Sequence, residues 1–451
     1  MLFKRGFASS NLANYYDIVI NGGGMIGSVL ACKLAKNTAL RDVSVLLVES
    51  SPEKNWDAEL RKEAGSFSNR VSSLNENTKT LLQNVDIWEA LKSISCHGVS
   101  QIKVWGYGSK NIATTFDVDD VKTFDNLAYI VENHILIAAA MKELLTLKDN
   151  VHVLHNSSIS TFNLPQSDEN NVKIRLNDGS PIECGILLGT DGANSKVRQA
   201  MGVQYISWNY NQRAIVATLK INQNEKNNTA WQKFLPNGPI ALLPLADDVS
   251  SLVWTTSPDH AKTLLSLSDE SFVDALNTAL FEEPVPDVLT ENVSNVISKV
   301  LNALKVPEKR KNIIPPTITD VVENSRSSFP LGFGHAANYV APRVALIGDA
   351  AHKVHPLAGQ GVNLGFADIQ CFDSVLTKHK SFGAKLGCAN CLNEYETSRQ
   401  RNNVPKLVAI DLIQKIAGHQ WPPLLMATNA ALQISDAVPQ IKKCLINSAA
   451  A

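Results

Sequence analysis

The chain has 451 residues, 44% hydrophobic and 19% charged, with 42 basic and 43 acidic side chains and a formal net charge of -1. That is globular material with room for two cores, which excludes a disordered or fibrous chain and a general magnet for nucleic acid. The seven cysteines (Cys32, Cys96, Cys184, Cys371, Cys388, Cys391 and Cys444) are odd in number and scattered, so they make no disulfide scaffold and point to a reducing compartment. Cys388 and Cys391 form a CxxC pair, but no second pair or histidine set completes a zinc site.

The first residues, MLFKRGFASSNLANYY, carry Lys4 and Arg5, then Ser9 and Ser10, and no acid before Asp17. A basic, serine-containing, acid-poor start has the character of a mitochondrial presequence, taken as residues 1–14. No uninterrupted apolar run of membrane-spanning length occurs in the sequence.

Asp17-Ile18-Val19-Ile20 has the pattern of a buried parallel strand and runs into Gly22-Gly23-Gly24-Met25-Ile26-Gly27. Small and apolar residues then recur at helical spacing from Ser28 to Lys36. Gly22, Gly24 and Gly27 thus match GxGxxG in the strand–turn–helix setting that the motif requires. The first glycine permits the tight turn, the second lets a pyrophosphate approach the backbone, and the third lets helix and strand pack closely. Free N–H groups and the positive end of the helix dipole then face the phosphates. Val43 to Val48 is a second buried strand, and it ends in Glu49, 22 residues beyond Gly27. An acid there holds a ribose hydroxyl and repels a 2′-phosphate, so the pocket suits FAD or NAD and not NADP.

Residues 15–205 form the first part of this dinucleotide-binding domain. Near its end, Leu187-Leu188-Gly189 is a strand pattern, Thr190-Asp191-Gly192 a turn, and Val197-Arg198 a helix start. From 206 to 332 the text becomes strand-like at Ala214–Leu219, Ile240–Leu245 and Ser251–Trp254, which predicts a mostly antiparallel inserted sheet. Asp269–Leu304 predicts helix, with Phe272, Leu276 and Leu280 on one face. Trp231, Phe234, Leu243 and Phe329 are candidates to line an apolar substrate pocket, and each would be equally at home in a core.

Residues 333–400 return to the first domain. Arg343–Ile347 is another buried strand, followed by Gly348-Asp349-Ala350-Ala351-His352 and then Pro356-Leu357-Ala358-Gly359-Gln360-Gly361-Val362-Asn363. An acid at a strand's carboxyl end, before a glycine-rich approach to a helix, is a second ligand-facing edge of one sheet. An NAD dehydrogenase has no use for it, whereas FAD extends a ribityl chain and ring beyond its nucleotide half. Asp349 can accept from ribityl hydroxyls. Gly359, Gly361 and Asn363 open a helix whose N–H groups favour the ring oxygen that gains charge on reduction. Pro356 shapes the flavin face through its backbone. His352 and His355 lie in the same segment, and neither is assigned as a base, because the flavin carries the chemistry. Residues 401–451 are C-terminal helices, with Ala409, Leu412, Ile413 and Ile416 at helical spacing, packed on the flavin domain or laid in part on a membrane.

GGGMIG, GTDGANSKVR and GDAAHKVHPLAGQGVNLGF resemble, in order, the three fingerprints of the single-component aromatic flavin hydroxylases. Ser68–Ser73, Tyr129–Asn133, Ser207–Tyr210 and Phe234–Leu245 are more closely similar to the mitochondrial ubiquinone-biosynthesis branch, over about Tyr16 to Arg401. The resemblance implies an α/β fold: a Rossmann-like FAD-binding domain, an inserted, mostly antiparallel β-sheet substrate domain, and C-terminal helices. It implies that Arg70 reaches the flavin phosphates or ring and that Asp191 with Gly192 closes over the cofactor. It further implies hydroxylation of a polyprenylated phenol by O2, either 4-hydroxy-3-polyprenylbenzoate at C5 or, in addition, 2-methoxy-6-polyprenylphenol. Ferredoxin and ferredoxin reductase would supply electrons, beside other ubiquinone-biosynthesis proteins at the matrix side of the mitochondrial inner membrane. One departure concerns Glu132 and Asn133, near which many relatives carry an FAD-contacting arginine that this chain lacks. A catalytically silent scaffold subunit and a prenyl reductase of the same fold are the alternatives.

Overall fold

Strand β1 (Tyr15–Asn21) is buried on both faces, as its unbroken apolar run requires, with Ile18, Val19 and Ile20 fully covered. The computed structural model describes residues 13–61, 65–106, 112–120, 124–222, 226–281, 315–356, 359–417 and 422–438, with a few isolated positions besides. The expected presequence therefore lies almost wholly outside the described residues. Helix α1 (Met25–Lys36) leads to β2 (Val45–Val48), which pairs parallel to β1 with Ile18 opposite Val45. Strands β3 (Val71–Leu74) and β4 (Ala128–Glu132) pair antiparallel in a small three-stranded sheet. Strand β5 (Pro181–Gly189) flanks β1 on its other side, and Val344–Leu346 runs parallel beside β5. The registers align Asn21 with Val48 and Gly189, and Gly189 with Leu346. Four parallel strands thus end along one edge, where loops between sheet and helices collect a ligand.

After helix α2 (Lys196–Met201) comes the second sheet: β6 (Tyr205–Asn222), β7 (Thr229–Leu235), β8 (Gly238–Ala246), β9 (Val249–Thr256) and, later, β10 (Ser327–Ala336). These pair antiparallel, and β7 adds a parallel neighbour at Gln101–Trp105. Two strands of the substrate sheet, Gln101–Trp105 and Thr114–Asp117, therefore come from upstream of residue 206. Helix α3 (Asp269–Phe281) covers one face with Phe272, Leu276 and Leu280 inward, and most of the helix expected beyond it lies outside the described residues. The two sheets have separate apolar cores, one around Ile18, Leu46 and Leu187, the other around Ile215, Leu242 and Trp254.

Helices α4 (Gln360–Ser381) and α5 (Ala389–Ala417) return to the flavin domain, whereas α6 (Pro422–Ala437) docks on the substrate sheet. Asn429 accepts from the Gly106 N–H at 3.1 Å, Asp436 accepts from the Thr114 hydroxyl at 3.1 Å, and Leu432 packs on Phe234. No described helix is long and apolar enough to cross a membrane.

Candidate functional site

The three glycines of the first motif do different work. Gly22 sits at φ +109°, and a β-carbon there would lie 2.8 Å from the Thr190 carbonyl oxygen. At Gly27 a β-carbon would meet the Gly22 carbonyl oxygen at 1.8 Å. Both positions are closed by backbone. Gly24, the N-cap of α1, has nothing within 4 Å of an ideal β-carbon, and no side chain caps the helix. The amide end of α1 therefore opens on space, as a bound pyrophosphate requires. Glu49 stands beside it, one carboxylate oxygen accepting from the Gly23 N–H at 2.6 Å and the other from Ser51 N–H at 2.7 Å.

Asp191 and Gly192 divide in the same way. The Asp191 carboxylate accepts from Lys196 N–H at 2.7 Å, from Asn21 at 3.1 Å and from the Ser195 hydroxyl at 2.5 Å. It caps α2 and fastens it to β1. Gly192, at φ +76°, borders open space. Asp191, expected with Gly192 to close over the cofactor, thus holds the first turn of α2 in place beside that open space. Arg198, which sequence reasoning passed over, donates to the Ala350 carbonyl at 2.8 Å and the Ala193 carbonyl at 2.7 Å, its guanidinium 3.8 Å above the Tyr205 ring. It ties the second segment to the third.

In the third segment the Asp349 side chain reaches solvent while dense protein surrounds its carboxyl. That enclosure raises its carboxyl above the ordinary 3.8, against the opposing pull of His352 and Lys353. Behind it runs a buried charge network. Asp368 of α4 accepts from Gly348 N–H at 2.9 Å, from His352 Nε2 at 2.7 Å and from Arg399 Nε of α5 at 2.6 Å, while Asn403 donates at 3.2 Å. Burial alone would raise the Asp368 pKa, but His352, Arg399 and the Gly348 amide outweigh it and hold the group at about 2. His352 is accordingly a structural partner. His355 differs: it is 1% exposed, neither ring nitrogen has a partner among the described residues, and burial brings its pKa down to about 4.

Gly359 takes φ +60° at the start of α4, and a β-carbon there would press on Ser73 of β3 at 3.0 Å. Gly361 follows in the first turn, close to Val354. Asn363 was expected at the cofactor, and the geometry corrects this. Its Oδ1 accepts from Asn75 N–H at 3.0 Å and Thr78 Oγ1 at 2.8 Å, and its Nδ2 donates to Ser73 O at 2.8 Å and Gly359 O at 3.1 Å. Every donor and acceptor of the amide is used, so it frames the site. Pro356 accepts from Gly359 N–H at 3.1 Å, bracketing the turn. Arg70, just ahead of β3, has an exposed side chain with no ion-pair partner among the described residues.

The four apolar candidates do not converge. Strand alternation and register put Trp231 on one face of the substrate sheet and Phe234, Leu243 and Phe329 on the other. Trp231 lies in the core beneath α3, edge-on to Trp105 at 6.3 Å, and so faces away from the flavin domain. Phe234 is covered by Leu432 of α6, and Leu243 packs against Val99 and Ile130. Phe329 alone is exposed, at 42%, on the face where Phe333 packs against Val354 and Leu364. Among the described residues no His, Cys, Asp and Glu group is placed to hold a metal, and the Cys391 thiol is pushed up to about 12 by burial.

Residues 304–402 match the family model described as an FAD binding domain. The chain is 42% identical over 445 residues to the rat protein named ubiquinone biosynthesis monooxygenase COQ6, mitochondrial, covering 97% of this chain and 92% of that one. It is 40% identical to the human protein of the same name, covering 97% and 93%. Among solved structures, p-nitrophenol 4-monooxygenase PnpA from Pseudomonas putida superposes with a TM-score of 0.69 at 16% identity, over 96% of this chain and 98% of that one. The last shares the fold.

Proposed function

The chain belongs to the family of mitochondrial ubiquinone-biosynthesis monooxygenases, FAD-dependent enzymes, and from that premise we propose that it hydroxylates 4-hydroxy-3-polyprenylbenzoate at C5. 2-Methoxy-6-polyprenylphenol is a second substrate of the same chemistry. The observation that carries the proposal is the convergence of Gly24, Glu49, Gly192 and Asp349 on one open sheet edge beside the face that bears Phe329. The residues fit FAD: the amide end of α1 would hold the pyrophosphate, Glu49 the ribose, Asp349 the ribityl chain, and the first turn of α4 at Gly359 and Gly361 the ring. Bound and reduced, FAD would supply the electrons that activate O2, one atom of which enters the aromatic ring while the other leaves as water. The protein's task is to hold that ring and exclude water. A catalytically silent scaffold would have no use for an open, capless α1 terminus facing Glu49.

Ferredoxin, recharged by its reductase, is the proposed donor, and the matrix side of the inner membrane the proposed place, beside other ubiquinone-biosynthesis proteins. Val404, Val408 and Leu412 lie at four-residue spacing on α5, 36%, 60% and 55% exposed, and Ile413 adjoins them. That stripe supports peripheral contact with the bilayer in which a prenyl tail dissolves. The test is turnover of a prenylated hydroxybenzoate with ferredoxin, reductase and O2, products read by mass, together with anaerobic stopped-flow reduction. Reduction by ferredoxin slows as ionic strength rises, since such encounters are charge-steered. Rapid bleaching by NADPH alone would overturn the donor assignment.

A further inference from the structure

We propose that Glu132 is the positioning residue of Arg70: it clamps the Ser68–Arg70 turn so that the guanidinium meets an anionic group of the cofactor. The inference rests on the FAD reading above and deepens it. Glu132 ends β4 and is 0% exposed. One carboxylate oxygen accepts from Ser68 N–H, and the other from the Ser95 hydroxyl at 2.6 Å. A carboxyl withdrawn this far from water is retained only where hydrogen bonds repay its desolvation, and here one of them reaches the turn two residues before Arg70.

The rest of the turn is tied as firmly. Asn133 N–H donates to the Arg70 carbonyl at 3.0 Å, and the Ser72 hydroxyl donates to Asn133 Oδ1 at 2.7 Å. Asn69 donates its side-chain amide to the Ser325 carbonyl, and Arg70 N–H donates to Ser68 Oγ at 3.1 Å. The backbone of Arg70 is therefore fixed on both sides while its side chain stays exposed, without an ion-pair partner among the described residues. Three residues on, Ser73 abuts Gly359 and accepts from Asn363, which places the turn at the rim of the flavin site. A cation held ready at its root loses less freedom when an anion arrives. The acid at Glu132 thus serves the cofactor from one residue layer behind, through Arg70.

The test is a double-mutant cycle on FAD affinity, titrated by flavin fluorescence into the full-length apoprotein, with the apoprotein Tm as control. Arg70→Ala weakens FAD by roughly tenfold or more, as loss of a charged hydrogen bond does. Glu132→Gln weakens it severalfold, yet adds less than about twofold in the Arg70→Ala background, since coupled residues are not additive. Asn69→Ala cuts the second anchor outside the core and follows the same pattern, which keeps the cycle decisive should Glu132→Gln not fold. Equal losses with and without Arg70 would overturn the clamp while leaving the Arg70 contact standing. Wild-type FAD affinity in Arg70→Ala would instead remove that contact, and the inference with it.

Discussion

The edge of the parallel sheet and the inner face of the antiparallel sheet are made of opposite materials. At the parallel edge the contacts are backbone amides, glycines and a buried charge network, all fixed before any ligand arrives. On the antiparallel face they are apolar side chains drawn from distant strands and helices, Phe234 under α6, Leu243 against the small sheet, Phe329 open. Backbone contacts tolerate few residue types, so their sites are narrowly specified. Apolar contacts tolerate many, provided that volume is kept. A cofactor shared by a family suits the first construction, and a substrate particular to one branch suits the second.

The largest effect separates two glycines of one motif. Gly27→Val drives a side chain into the Gly22 carbonyl, which is backbone and cannot give way, so no folded flavin domain accumulates. Gly24→Val meets nothing in the apoprotein and leaves its Tm unchanged, yet FAD no longer remains bound through purification. Thermal unfolding and flavin absorbance read the two independently. If Gly24→Val lowers the apoprotein Tm or prevents folding as Gly27→Val does, the open cradle at α1 is not there.

Next in size is the network behind Asp349. Asp368→Ala leaves Arg399 buried without its partner and costs about 3–5 kcal/mol of stability. The pH dependence has a definite sign. Asp368 titrates near 2 in the fold against 3.8 ordinarily, so its contribution is complete above the higher value and is lost as pH falls from there through about 2. Acid unfolding followed by circular dichroism shows this component in the wild type and loses it in Asp368→Asn.

Asp349 offers a smaller effect with a ligand readout. Enclosure raises its apoprotein pKa, and in the proposed site ribityl hydroxyls would donate to the ionised form, so FAD affinity should fall as pH drops through that raised value. Asp349→Ala removes a charged acceptor worth about 1.5–3 kcal/mol in FAD binding. Asp349→Asn flattens the pH dependence as well. A titration whose slope persists in Asp349→Asn points to another group.

The same contrast explains what the sequence made legible. Strand, glycines, helix and strand are contiguous in the sequence, and the later strand repeats the pattern, so this edge of the sheet could be read from local text. Asn363 reads as a ligand because it sits inside a motif. Its hydrogen bonds to Ser73 and Asn75 are set by folding, and motif position does not reveal them. Asp368, Arg399 and Asn403 left a faint signal, an acid among the inward Phe366, Ile369 and Phe372 of α4 that nothing nearby in the sequence could neutralise. Trp231 was misplaced for a simpler reason. Its face depends on pairing with β8 and on which side α3 lies, and aromatic content says neither.

The smallest effect tests the substrate face itself. Phe329 is 42% exposed, so its truncation forfeits little burial, and Phe329→Ala stays within about 0.5 kcal/mol of the wild-type stability. It shares a sheet face with Phe333, which packs with Val354 and Leu364 of the flavin segment, so the surface lost is the surface that the proposed prenylated ring would cover. KM for the prenylated substrate should rise severalfold while FAD affinity holds. Trp231→Phe is the matched control, because it sits on the opposite face in the core under α3. It lowers Tm through lost packing with Trp105 and leaves KM where it was. Should Trp231→Phe raise KM and Phe329→Ala leave it unchanged, the substrate lies on the α3 side of the sheet, and the two faces exchange roles.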